Sequence, residues 1–145
     1  MKKYISWLIL VGCLFSLLIG CSSQGYKDGV YRAEASEYYH GWKESVEITI
    51  VGGNIDKVSW DAVSNDPNIP IGKKQYSKSG LYGMLVGAAI DEWCDQAKAA
   101  EDYILAYGLD FSVDDGGYTD AITGCTVQVD TLAILAKKCL EQAQK

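Results

Sequence analysis

Two threonines and a glycine in the stretch Asp120-Ala121-Ile122-Thr123-Gly124-Cys125-Thr126 are the residues of this chain best suited to chemistry. A threonine hydroxyl can form an ester, but it is a poor nucleophile unless another group activates it. Gly124 allows a positive φ or a close approach of the backbone to a ligand. Asp120 could cap the loop. The same residues could also form a plain turn that leads into a helix cap.

The order of these residues, D-x-x-T-G-x-T, resembles the flavin-attachment motif of the FMN-binding domain family, usually D-x-x-[S/T]-G-A-[S/T]. The resemblance implies a cofactor site formed by Asp120, Thr123, Gly124, Cys125 and Thr126. It implies that FMN is held there, either without a covalent link or through a phosphodiester bond to Thr126 made by a flavin transferase. Cys125 replaces the usual alanine and, as a small hydrophobe, fits the same pocket. We expect N–H groups at the start of the next helix to receive the phosphate.

The first 20 residues have the composition of a secretory signal, with Lys2 and Lys3 before an apolar run that ends at Ile19. This run is shorter than the ~20 residues of a transmembrane helix. Its end, Leu18-Ile19-Gly20-Cys21, resembles a bacterial lipobox, which implies that Cys21 is lipidated. We therefore predict a signal peptide over residues 1–20, a lipidated tether over 21–27 and one domain over 28–145. The predicted location is the cell membrane, lipid-anchored on its extracytoplasmic face.

The charge of the chain limits its partners. Removing 20 of the 145 residues leaves 125, enough for one domain with a core, and leaves 11 of the 13 basic residues against 19 acidic ones, a net charge of −8. An acidic surface argues against nucleic acid as a partner. It should also disfavour a reduced, anionic flavin and so lower the potential of FMN.

Other kinds of site receive little support. Cys94, Cys125 and Cys139 lack the C-x-x-C spacing, and we expect buried free thiols, with a disulfide as the open alternative. His40 is the only histidine and is expected to be solvated in a turn. The acidic loop from Asp110 to Asp115 lacks the glycine and glutamate of an EF-hand, so we expect a solvated loop there.

Alternating apolar residues predict three strands around 31–35, 46–50 and 58–62, with Gly52-Gly53-Asn54 as a hairpin turn between the second and third. Helical spacing predicts helices over 91–107, stopped by Gly108, and over 130–143. Residues 65–80 contain both prolines and are predicted to form a loop. The expected fold class is α+β, with two or more helices packed on one face of an antiparallel sheet in a single FMN-binding-like domain.

Aromatic side chains are candidates for a flavin wall. Trp42 and Trp60 flank the predicted hairpin, and either could face a ligand, although Trp60 and Trp93 also fit the core pattern. By analogy of position, Tyr82 and Met84 are further wall candidates, together with Tyr76.

The resemblance covers most of the chain after residue 27. Within the family, the chain is most similar to small surface lipoproteins such as the major membrane immunogens. It implies an electron carrier with an unknown redox partner rather than a stand-alone catalyst. A flavin-free surface lipoprotein is the main alternative. A minor one is that residues 14–20 of the signal are released as a signalling peptide.

Overall fold

The sheet of this protein follows from the alternating pattern of its first half. A computed structural model describes residues 25–87 and 89–144; the predicted signal peptide, Cys21 and the first part of the tether lie outside these residues. Three antiparallel strands, β1 (Gly29–Glu34), β2 (Trp42–Val51) and β3 (Asn54–Ser64), pair in the order β1-β2-β3. All three predicted strands and the hairpin are confirmed.

One face of the sheet is buried. Val46 and Ile48 of β2 and Trp60 of β3 are fully buried, and Val46 lies opposite Trp60 in the register. Gly52 and Gly53 adopt φ values of 60° and 78° at the β2–β3 turn, which glycine tolerates without the strain that a Cβ would add.

Three helices cover the sheet: α1 (Lys73–Lys78), α2 (Trp93–Tyr107) and α3 (Asp130–Gln142), with a short 3-10 turn at Leu85–Gly87. Helix α3 packs on β1 and β2, α2 packs on β3, and α1 lies against β3 and α2. The fold is therefore α+β, as predicted. Within the described ranges no helix has the length and apolar character needed to cross a membrane.

Two element boundaries differ from the sequence prediction. Helix α2 begins at Trp93 rather than at residue 91, because Glu92 has extended backbone angles. Residues 65–80 are not all loop, since they contain α1. The Asp61 carboxylate on β3 accepts a hydrogen bond from Lys74 N at the start of α1, 2.9 Å away, and sequence periodicity cannot show this long-range support.

The chain enters the domain at one end of the sheet. Tyr26 N donates to the carbonyl oxygen of Gly53 in the β2–β3 turn, at 3.0 Å, and Lys27 N donates to Ala143 O just after α3. The opposite end of the sheet, where β2 begins at Trp42, lies about 30 Å away along the strand.

Candidate functional site

The motif 120–126 lies in the loop before α3, and three residues separate its end from that helix. Gly124 has φ +82°, and a Cβ placed there would contact nothing, so this position needs glycine for its backbone angle rather than for space. Cys125 is buried in the core, 7% exposed, while Asp120, Thr123 and Thr126 are exposed. Cys125 therefore anchors the loop in the core, while the two threonines lie at the surface.

A buried glutamine fixes Thr126. The Gln96 side chain is 1% exposed, and its Oε1 accepts from Thr126 N at 2.7 Å and from Thr126 Oγ1 at 3.1 Å. Gln96 Nε2 in turn donates to Asp91 O at 3.0 Å. The N–H of Thr126 is therefore already used, and Asp130 places a carboxylate in the first turn of α3. The groups that would face a phosphate on Thr126 differ from the free helix N–H groups expected from the sequence.

Thr126 borders a cavity of about 310 Å³, which we call the Thr126 cavity. Its walls come from β2, α1, α2 and the loops around residues 39, 82 and 118. The aromatic and sulfur-containing lining residues are Tyr39, Tyr82, Met84, Trp93 and Tyr118. The polar and charged ones include His40, Glu44, Lys73 and Gln128. Thr123 lies instead in a separate depression beside Ile122 and Tyr103.

The buried cation of the Thr126 cavity is Lys73, which is 7% exposed. Its Nζ lies 4.4 Å from the ring centre of Trp93, 4.9 Å from that of Tyr82 and 5.8 Å from that of Trp42. We call these three rings the aromatic cage. Cation–π attraction of this kind contributes about 0.5–2 kcal/mol where the cation is desolvated. The cage therefore stabilises the ammonium without neutralising it.

Local structure explains why Lys73 points into the cage. Lys73 is the first residue of α1, and the Asp61 carboxylate fixes that helix start. Gly72 makes this possible, because a Cβ on it would collide with the carboxylate of Asp61. On the other side, Lys74 pairs with Glu101 of α2, which also accepts from the backbone N of Trp60. Strand β3 and helix α2 thus hold α1 from both sides.

Burial governs the charges of the cavity. It lowers the pKa of Lys73 from 10.5 to about 8, although the negative charges of Glu44 and Asp61 act in the opposite direction. Burial also raises the pKa of Glu44, against the hydrogen bond that Trp60 Nε1 donates to its carboxylate at 3.1 Å. The pKa of Tyr82 is raised by burial and then by Glu44. Lys73, Glu44 and Tyr82 are thus partly desolvated, and a charge added beside them would act on them more strongly than in bulk water.

The structure bears on several other residues singled out from the sequence. Tyr82 and Met84 line the Thr126 cavity, and their role as a flavin wall stays a prediction. Trp60 and Trp93 are core residues in contact with each other, with ring centres 5.0 Å apart. Tyr76 stays outside the cavity lining but packs against Trp42, which is itself buried.

The remaining sequence predictions concern thiols, the histidine and the acidic loop. The three described cysteines are free; Cys125 and Cys139 are buried as predicted, but Cys94 is only half-buried, because it lies at the first turn of α2. His40 is exposed, as expected, with φ 47°. Asp114 accepts from the backbone N of two following residues, and residues 25–87 and 89–144 contain no acidic, histidine or cysteine cluster suited to a metal.

Sequence reasoning missed Lys73, Gln96 and Glu44. Gln96 occupies a position on the apolar face of α2 between Trp93 and Ala100, and a polar residue in such a stripe was a signal that could have identified it. Lys73 has no comparable signal, because its burial depends on rings contributed from β2, the 81–90 loop and α2.

The residues present fit the part of FMN that a cavity of this size can take. Tyr82 and Trp93 offer flat apolar walls for a ring, and the Thr126 hydroxyl stands at the border where a phosphate would attach. A volume of about 310 Å³ lies at the small end of ligand pockets. An adjoining groove of about 420 Å³ shares Tyr39, Glu44 and Gln128 with it and gives further room.

No family model matches the chain, but comparison with known proteins finds a similar protein and similar solved structures. The chain is 26% identical over 135 residues to a 15 kDa lipoprotein of Treponema pallidum (strain Nichols), covering 92% of this chain and 87% of that protein. A solution NMR structure from Clostridium thermocellum is 36% identical, with a TM-score of 0.61, and the match covers 82% of this chain and 93% of the other. A crystal structure from Clostridium perfringens is 20% identical, with a TM-score of 0.59, covering 81% and 88%; this likeness concerns the fold alone. The treponemal relative supports the lipoprotein nature of the chain.

Proposed function

The chain belongs to the same protein family as the Clostridium thermocellum protein, and we propose that it is a lipid-anchored extracytoplasmic protein that binds FMN and carries electrons. The observation that carries this proposal is the position of the Thr126 hydroxyl on a cavity walled by aromatic rings and containing a buried ammonium. In this proposal Thr126 carries the phosphate, while the ring occupies the cavity. Bound FMN would accept and release the electrons.

The residues of the chain supply position and environment. Gln96 Oε1 accepts hydrogen bonds from the backbone N and from the hydroxyl of Thr126. Because the hydroxyl donates to Gln96, the lone pairs of Thr126 Oγ1 point away from Gln96. The exposure of Thr126 makes it accessible to a flavin transferase, the partner that would activate the hydroxyl. Tyr82 and Trp93 would exclude water from the face of a bound ring. A covalent link would keep the cofactor from diffusing away outside the cell.

The point at which the chain enters the domain agrees with this role. The chain enters the domain at the β2–β3 turn, whereas Trp42 and the aromatic cage lie at the opposite end of the sheet. A lipid on Cys21 would therefore anchor one end of the domain, with the aromatic cage toward the other end, where Trp42 lies about 30 Å along the strand from the β2–β3 turn. A redox partner could then approach the cavity without displacing the anchor.

The proposal is tested by the colour and mass of the protein. We expect the protein purified from its native host, or made together with a flavin transferase, to be yellow and heavier than its chain by one FMN less water under denaturing conditions. Thr126→Ala should remove the added mass and Thr126→Ser should retain it. Thr123→Ala is the matched control, because Thr123 belongs to the same motif but lies in another depression, and it should keep the added mass.

Different results separate covalent from non-covalent binding. A yellow protein that loses its colour on denaturation holds FMN without a link to Thr126. A colourless protein from the native host contradicts flavin binding altogether.

A flavin-free surface lipoprotein is the second candidate function. It is favoured by the segments 81–87 and 89–90 beside the cavity, where Leu81, Leu85, Val86 and Ile90 are 62%, 54%, 92% and 59% exposed. Apolar side chains grouped on a surface are typical of contacts with another molecule. A colourless protein that binds another molecule, and that loses this binding when Val86 is changed to Asp, would support this candidate over the first.

A further inference from the structure

Lys73 is a buried cation that forms no ion pair with a described carboxylate. In the part of the chain that the structure describes, its ammonium forms no hydrogen bond or ion pair, and its close neighbours are the three rings of the aromatic cage. Buried charges in proteins are normally paired or bound to a ligand, because an unpaired charge is costly to desolvate. The isolation of Lys73 therefore points to a partner that is not part of the chain.

The two carboxylates whose charges act on Lys73 accept hydrogen bonds from other groups. Asp61 Oδ1 accepts from Lys74 N at 2.9 Å and from Ala62 N at 2.8 Å. Glu44 Oε2 accepts from Trp60 Nε1 at 3.1 Å. Both act on Lys73 through space, but none of the salt bridges among the described residues joins either of them to Lys73. The ammonium stays available to whatever enters the Thr126 cavity, of which it forms part of the wall.

We propose that Lys73 recognises the negative charge of the ligand in the Thr126 cavity and that, for FMN, this is the charge gained by the ring on reduction. The inference rests on the proposed function. On taking up two electrons and one proton, the neutral ring acquires one negative charge, and in the test below an external reductant supplies the electrons. A nearby ammonium favours the charged form. Lys73 would thus raise the potential of FMN and oppose the general effect of an acidic domain.

A reductive titration of the FMN-loaded protein at pH 7, with a reference dye, measures this effect. Lys73→Met removes the charge but keeps an unbranched apolar side chain in the cage. We expect it to lower the preference for reduced over oxidised FMN by about tenfold, which is about 30 mV for a two-electron couple. Lys73→Arg keeps the charge and should stay near the wild-type potential. Lys78→Met is the matched control, because Lys78 is an exposed lysine on the same helix. In this variant the redox potential of FMN should equal that of the wild type.

The outcomes distinguish this inference from the proposed function. Flavin bound to every variant, with Lys73→Met at the potential of Lys78→Met, overturns the role of Lys73 and leaves FMN binding intact. Absence of flavin from all variants and from the wild type contradicts the proposed function, and the inference falls with it. Circular dichroism checks the fold; if Lys73→Met is unfolded, Lys73→Gln, which also lacks the charge, takes its place with the same expected shift.

Discussion

Replacing Lys73 by methionine should make the ligand-free protein more stable at neutral pH. The ammonium is desolvated inside the aromatic cage without an ion pair, and this lowers its pKa from 10.5 to about 8. Each unit of pKa corresponds to about 1.36 kcal/mol, so holding the charge in the folded state costs about 3 kcal/mol. Attraction to the rings offsets about 0.5–2 kcal/mol. We therefore expect Lys73→Met to raise the free energy of unfolding by about 1–3 kcal/mol.

The gain should depend on pH in a defined direction. Below pH 8 the folded and unfolded chains both hold the proton on Lys73, so the full cost is present. Between pH 8 and 10.5 the folded chain releases this proton first. The unfolded chain then binds more protons, and the contribution of Lys73 to stability becomes less unfavourable as pH rises. The advantage of Lys73→Met should accordingly shrink by about 2 kcal/mol between pH 7 and pH 9.5.

Urea unfolding followed by tryptophan fluorescence at both pH values measures these differences. Lys78→Met is again the control, and because Lys78 is exposed its stability should stay within about 0.5 kcal/mol of the wild type. An unchanged slope with urea would show that the variants unfold from equally compact states. The reasoning is refuted if Lys73→Met is less stable than the wild type at pH 7, or if its advantage is the same at pH 9.5.

Two further predictions concern the support of the motif and its thiol. Gln96→Ala should lower the free energy of unfolding by about 1–3 kcal/mol, because its two bonds to the threonine are lost, while the exposed Lys98→Ala should change it by less than about 0.5 kcal/mol; equal effects in urea unfolding would contradict the anchoring role. Burial raises the pKa of the thiols of Cys125 and Cys139, so iodoacetamide at pH 8 should alkylate the half-buried Cys94 first, and peptide mass mapping that finds Cys125 modified at the same rate would count against its burial.

The sheet and the two long helices could be predicted because their patterns are local. Val46, Ile48 and Ile50 alternate with polar residues, and the structure buries all three. The last helix was placed correctly from its apolar stripe, and Gly108 ends α2 with φ 69°. Each of these features depends on residues within one turn or one strand of each other.

Helix α1 and the cavity could not be predicted, because their causes are distant in sequence. The segment 73–78 is too short and too polar to show an apolar stripe, and it forms where Asp61 and Glu101 hold it from either side. Thr126 was identified from the motif alone. Its partner Gln96 lies 30 residues away, and no spacing rule connects the two positions.

Lys73 helps to weigh the two candidate functions against each other. A protein that only presents an apolar loop to a partner has no need of an unpaired ammonium behind that loop, and an apolar side chain in the cage would serve its fold better. A protein that binds an anion, or a ring that becomes one, does need it, because a desolvated cation acts most strongly on a charge that enters the same low-dielectric space. In this proposal, the stability that the empty domain loses at Lys73 is offset by an attraction between Lys73 and the ligand, which exists only when the ligand is bound. If the proposed function is right, the same lysine would connect the stability of the empty domain to the affinity and potential of the bound ligand, and for this reason we prefer the flavin-binding proposal to the flavin-free one.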